Sequence, residues 1–322
     1  MGDLSVVGIV QKTAKPLYNI VKSVGPFILS QSKTAVENYS NFKLNKARLD
    51  AISVLLQEEV KHISEDRAKI RDKMINLNGA ERVRAQNDYD LMTRELNKLS
   101  TVDKIKDFLK DDVEISNDNE ISDGWIEKFN QLASSLNEEW RKKLLAKAFA
   151  KELQEPGTIN MIVLNSIASF DEESFRAFGS IVNISSRLYE VNCFPEGAMS
   201  LEINTNGSKK KISQIIYELS HLNLINASGG NFINIVNNNK VIIRYGKRVV
   251  ETQGELSIVP LPLQIYTVFY STLGNKISDF YDREITDDGN LCFDMFIDDL
   301  KKKGYTCKDI LISDDDYESI GN

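Results

Sequence analysis

With 322 residues, 42% of them hydrophobic and 27% charged, the chain has the composition of a folded globular protein and the length for two or three cores. Its formal charge of −7 speaks against a general nucleic-acid binder and leaves only a local basic face for such a role. Its cysteines (Cys193, Cys292, Cys307) and histidines (His62, His221) form no Cys-x-x-Cys or His-x-x-x-His pair, so neither a zinc site nor a His-based triad has support.

The basic N-terminal segment, residues 1–33, comes first. No acid lies between Asp3 and Glu37, while Lys12, Lys15, Lys22 and Lys33 are basic. At helical periodicity Val6, Ile9, Val10, Leu17, Ile20, Val24 and Phe27 fall on one broad apolar arc, with Lys12, Lys15 and Lys22 opposite. Such a face is expected to meet a membrane surface, a partner or another subunit, or the protein's own core. Pro16 kinks the helix and Gly25-Pro26 bends or ends it. No apolar run reaches the roughly 18 residues of a membrane span. The N-terminus has no signal-peptide pattern, and Val6 stands where a myristoylation signal wants Ser or Thr. A cytoplasmic protein is expected, peripheral at the inner face of the membrane if the basic face meets lipid.

Residues 34–106 repeat every seven: Ala35, Phe42, Leu49, Leu56, Ile63, Ile70, Leu77. The narrow seam predicts a long charged helix touching one neighbour. Asn76-Leu77-Asn78-Gly79 stops it, and a return helix carries Val83, Tyr89, Met92, Leu96 and Leu99. The expectation is an antiparallel helical hairpin, coiled-coil-like, completed by a second copy in a homo-oligomer. Residues 107–121 are acidic (Asp107, Asp111, Asp112, Glu114, Asp118, Glu120) and read as a linker at a domain boundary.

A central helical core is predicted over 122–190. Ser122 caps a helix with Trp125, Phe129, Leu132 and Leu136 on one side. The next helix, with Trp140, Leu144, Leu145, Ala148, Phe149 and Leu153, is apolar around much of its circumference and should be the most buried. Pro156-Gly157 ends it, Thr158 is expected to cap 159–167, and Asp171 to cap a helix through Phe178 and Ile184.

Residues 191–312 read as an α+β, winged-helix-like module, followed by an acidic tail over 313–322. The pattern predicts a strand at 201–204, a helix opening at Ser208 and running to Leu222, and a hairpin of 232–236 with 241–245. Further strands follow at 249–252 and 256–259, then a helix from Pro262 through Leu273, a helix at 292–302 and a strand at 309–312. The fold class is therefore mainly α with a smaller α+β C-terminal part.

No phosphate-binding glycine motif occurs, and no cofactor is expected. Pro195-Glu196 with Glu202-Ile203-Asn204 resembles the carboxylate layout of restriction-type nucleases, except that Asn204 stands where a Lys belongs. Lys209, Lys210, Lys211, Lys240, Arg244, Lys247 and Arg248 make the winged-helix-like stretch locally basic, a candidate phosphate-contact patch.

Leu144-Leu145-Ala146, Phe149-Ala150, Glu152-Leu153 and Pro156-Gly157, followed by Phe170-Asp171-Glu172, resemble the core of a bacterial family of unknown function similar to the Abi-alpha abortive-infection proteins. Leu145 stands where that family usually has Trp. Leu219-x-x-Leu222-x-Leu224-Ile225 extends the resemblance, which covers roughly residues 121–273. It implies a role in defence against phage and transfers no catalytic residue. The expected function is non-enzymatic, through oligomerisation and membrane-surface or partner binding. A nucleic-acid-associated adaptor and a metal-dependent nuclease or hydrolase are the alternatives.

Overall fold

The computed structural model describes residues 46–109, 121–188, 191–205, 207–226, 232–235, 240–254 and 263–310. The basic face at 6–27, most of the acidic linker, the strand expected at 256–259 and the acidic tail lie outside them. Described residues are mainly helical, with an antiparallel sheet in the C-terminal part. The chain divides into two compact units between Ser169 and Phe170. That division falls inside the segment 122–190, so the last of its helices belongs with the sheet.

The first unit contains α1 (Lys46–Met74), α2 (Gly79–Asp103), a 3-10 turn (Lys104–Phe108), α3 (Asp123–Ser135), α4 (Glu139–Gln154) and α5 (Met161–Ser169). α1 and α2 run antiparallel: Ser53 Oγ donates to Asp103 Oδ1 at 2.5 Å, and Arg67 lies 5.5 Å from the centre of the Tyr89 ring. Leu56, Leu99, Val102 and Ile105 are buried at the base of the pair. From residue 57 to residue 96 no side chain is buried.

The core of this unit is aromatic. Trp125 stacks on Phe129 with ring centres 5.8 Å apart, and Phe149 of α4 meets both edge-on at 5.4 and 4.7 Å. Ser122 caps α3 by accepting from Trp125 N at 3.3 Å. α4 buries Leu144, Leu145, Ala148, Phe149 and Leu153, as its apolar circumference requires. Glu152 on the same helix is 4% exposed, and its carboxylate accepts from Gly157 N at 2.7 Å and Ile159 N at 2.8 Å. These bonds satisfy the backbone donors of the Pro-Gly turn. The cap of α5 differs from expectation. Asn160 Oδ1 accepts from Val163 N at 2.9 Å, while Thr158 Oγ1 donates back to Glu155 O at 2.9 Å, closing the turn instead of opening the helix.

The second unit begins with α6 (Glu172–Ile184), capped by Asp171 as expected, and continues through β1 (Ser186–Leu188), β2 (Val191–Pro195) and a 3-10 turn (Glu196–Ser200). β3 (Glu202–Thr205) and β4 (Ser208–Lys211) form a separate hairpin, and α7 (Ile212–Glu218) follows. Then come β5 (Ile225–Asn226), β6 (Phe232–Ile235), β7 (Lys240–Tyr245), β8 (Arg248–Gly254), β9 (Leu263–Tyr270), α8 (Thr272–Ser278), α9 (Asp287–Lys302) and β10 (Tyr305–Ile310). The main sheet runs β10-β8-β7-β1-β2-β9-β5, with β6 also on β9, and all its pairings are antiparallel.

Three expectations are corrected here. Ser208 opens a strand, because Asn206-Gly207 is a hairpin signal and Gly207 takes φ +77°; α7 starts only at Ile212. The predicted hairpin of 232–236 with 241–245 does not form: β6 pairs with β9, and β7 lies between β1 and β8. Residues 263–270 are β9 rather than a helix from Pro262, since β2, β5 and β6 supply this segment with strand partners.

α9 covers one face of the sheet, packing Phe293, Phe296, Ile297 and Leu300 on Leu188, Cys193, Ile243, Tyr245 and Val250. Tyr245 reaches past this layer. Its hydroxyl donates to Asn183 O at 2.7 Å and accepts from Thr286 N at 2.9 Å, joining α6, β7 and the start of α9. Gly289 makes room for it, since a Cβ there would stand 1.8 Å from that hydroxyl oxygen.

Candidate functional site

The residues of the expected basic patch come from β4, the start of β7 and the turn from β7 into β8. Lys209 and Lys211 are exposed on β4, while Lys210 is paired with Glu218 at 2.8 Å. Arg244, Lys247 and Arg248 sit together where β7 turns into β8. Arg244, however, is only 6% exposed. Arg248 bonds Asp294 at 2.6 Å and Asn290 at 3.0 Å and lies over the Phe293 ring at 4.7 Å, so it fastens the strand to α9. Lys240 begins β7 at the opposite end from that turn. Val6, Ile9, Val10, Leu17, Ile20, Val24, Phe27, Lys12, Lys15 and Lys22 lie outside the described residues.

Reactive groups are poorly placed for covalent chemistry. Burial pushes the thiols of Cys193 and Cys292 up to about 12, and raises that of Cys307, so all three stay protonated at neutral pH. His62 and His221 are exposed, and His221 Nδ1 is 3.0 Å from Glu218 O at the end of α7. Among the described residues no group of three or more His, Cys, Asp or Glu side chains is placed to hold a metal ion. No described helix is long and apolar enough to cross a membrane.

What the second unit does contain is a buried polar row that sequence patterning missed. Arg244 of β7 is the cross-strand partner of Arg187 of β1, and Arg187 is the partner of Asn192 of β2. Directly opposed residues share a face, so these side chains stand side by side on the face away from α9. Arg283, just beyond α8, closes the row. Its Nη1 donates to Ser185 O at 3.0 Å and its Nη2 donates to Asn192 Oδ1. Asn192 is oriented for this: its Nδ2 donates to Asn275 Oδ1 and to Ser278 Oγ, both at 2.9 Å, which turns its oxygen toward Arg283. Ser185 Oγ and the Tyr270 hydroxyl share a hydrogen bond of 2.8 Å beside it.

Electrostatics set this row apart. Arg283 is 8% exposed, and its Nε is a buried donor without an acceptor. Burial, with smaller contributions from the charges of Arg187 and Arg244, holds its guanidinium down to about 10, still protonated at neutral pH. A periodicity scan finds apolar faces, and an arginine on a strand reads there as a solvated position. The alternation Ile243-Arg244-Tyr245 placed Arg244 opposite the core face without showing that a second layer covers it.

A second feature is a cleft of about 510 Å³ between the 196–200 turn, β9 and α9, lined in part by Glu196, Tyr266, Met295, Asp298 and Lys302. Lys303 bonds Asp299 at 2.7 Å on its wall and lies 5.6 Å from the centre of the Tyr266 ring. Glu196 shares this lining with Asp298, Asp299, Lys302 and Lys303. No family model, no curated protein and no solved structure matches this chain.

Proposed function

We propose that the protein works by binding rather than by turnover, as an oligomerising component of bacterial defence against phage. The observation that carries the binding reading is the α1–α2 arm. α1 alone has 29 residues and spans about 43 Å at 1.5 Å per residue. Over most of that length the two helices bury no side chain completely, while Val83 is 60% and Leu91 61% exposed. An isolated helical pair with so little buried surface is marginal in water, and a second pair completing a four-helix bundle supplies the missing contact. The resemblance of residues 121–273 to the Abi-alpha-like family supports the defence setting. The basic face at 6–27 is the surface we assign to a membrane or partner.

Light scattering on the size-fractionated full-length protein tests the arm. The wild type is expected to elute as an oligomer, and the double variant Val83→Glu, Leu91→Glu as a smaller species with unchanged circular dichroism. A monomeric wild type, or a variant of unchanged mass, sinks the reading. Exposed Lys209, Lys211 and Lys247 leave a nucleic-acid-associated adaptor as the second reading. It is weaker, because Arg244 and Arg248 are committed within the fold.

A further inference from the structure

We propose that Asn78-Gly79, at the tip of the α1–α2 arm, is a self-modifying site where the Asn78 amide becomes a carboxylate through a cyclic imide. Pairing of the arm with a second copy is not required for it, and the only co-reactant is water. The Gly79 backbone nitrogen attacks Asn78 Cγ and the Cγ–Nδ2 bond breaks, so that ammonia leaves with the proton the Gly79 nitrogen gives up. Water then opens the imide at one of its two carbonyls, leaving aspartate or isoaspartate. The products act differently on the arm. Aspartate keeps the N-cap and sets a negative charge at the start of α2, where the helix dipole favours it. Isoaspartate routes the main chain through the side chain, one methylene longer, and displaces the Asn78 carbonyl that accepts from Arg82 N.

Nucleophile, electrophile and space are all available at the tip. Gly79 is the first residue of α2, so its N–H is one of the helix-start donors without an intrahelical acceptor. The positive end of the helix dipole lies there and stabilises the negative charge that develops as the amide proton is removed. Asn78 stands at the N-cap position, yet its side chain makes no capping hydrogen bond. Asparagines that hold structure elsewhere are bonded: Asn160 caps α5, and Asn192 Nδ2 donates to both Asn275 and Ser278. Gly79 takes φ +55°, and a Cβ placed on it would meet no atom within 4 Å, so neither a side chain of its own nor a neighbour blocks the attack. Ring closure requires Asn78 to turn from its extended ψ of 160°. The turn is weakly held against this: Ile75, Asn76, Asn78 and Gly79 are exposed, and the Arg82 N to Asn78 O bond is long at 3.5 Å.

The test is incubation of the full-length protein, folded and in denaturant, at the same mildly alkaline pH and temperature. Peptides covering the tip are followed by mass spectrometry for the amide-to-acid gain and by chromatography for the two isomers. Asn78 is expected to convert in the folded protein at a rate within about tenfold of the denatured one, the margin left by a barrier that folding barely raises. Asn76 is exposed in the same turn but is followed by Leu77, whose side chain hinders attack, and should convert about tenfold more slowly or less. Asn78→Gln should leave the tip unmodified, since its longer side chain closes only a six-membered ring. Asn206→Gln removes the other Asn-Gly pair of the sequence and should not change conversion at Asn78. A folded protein that keeps Asn78 intact while the denatured chain converts, or one in which Asn76 converts as fast, overturns the assignment.

Discussion

Residue chemistry in this protein is governed by burial. Cys193 is wholly buried against α9, and Cys292 lies within α9 itself; desolvation of the thiolate pushes both thiols up to about 12. Neither can serve as a nucleophile in the folded state. Native protein at pH 8 is therefore expected to react with a thiol reagent at Cys307 alone, and slowly, while denatured protein reacts at all three cysteines. Fast labelling of Cys193 in the native state would contradict this. Arg283 and Glu152 show the complementary solutions for a buried charge. Glu152 is reached by two backbone N–H groups, whereas Arg283 donates to a backbone carbonyl and an amide oxygen.

Secondary-structure elements form where local signals and packing agree. Asp171 is such a case: it caps α6 by accepting from Ser174 N at 2.7 Å and from Ser174 Oγ at 2.7 Å. These two bonds hold its carboxyl below the ordinary value of 3.8. Because the folded value is the lower one, the cap stabilises above the unfolded value, and that contribution is lost as pH falls through the folded value. Asp171→Ala should therefore cost about 1 kcal/mol at pH 7. The difference from wild type should shrink as pH falls below the ordinary value and on through the lower folded one. Chemical denaturation at pH 7 and at pH 2.5 checks both the size and the direction; an equal difference at the two values rejects the cap as its source. β9 is the opposite case. Its run of apolar and aromatic residues satisfies a helical and an extended reading alike, and the flanking strands decided between them.

For the whole molecule, each compact unit has its own hydrophobic centre: the Trp125–Phe129–Phe149 cluster in the first, and the layer between α9 and the sheet in the second. Residues 170–322 expressed alone should consequently fold, with a single cooperative thermal transition; a broad, non-cooperative melt would show that they depend on the first unit. The sequence by itself determined the long charged pair of helices, the capped ends at Ser122 and Asp171, and the buried α4, because caps and helical periodicity are local and carry their own signature. It did not determine the partner of β6, the strand state of β9 or the division at Ser169. Each depends on which distant segment supplies the hydrogen bonds, and strand pairing has no local code. The arginine row lies furthest from local information. Arg187, Arg244 and Arg283 come from three separate segments, and only the closing of β7, β1 and β2 into one sheet sets their charges side by side.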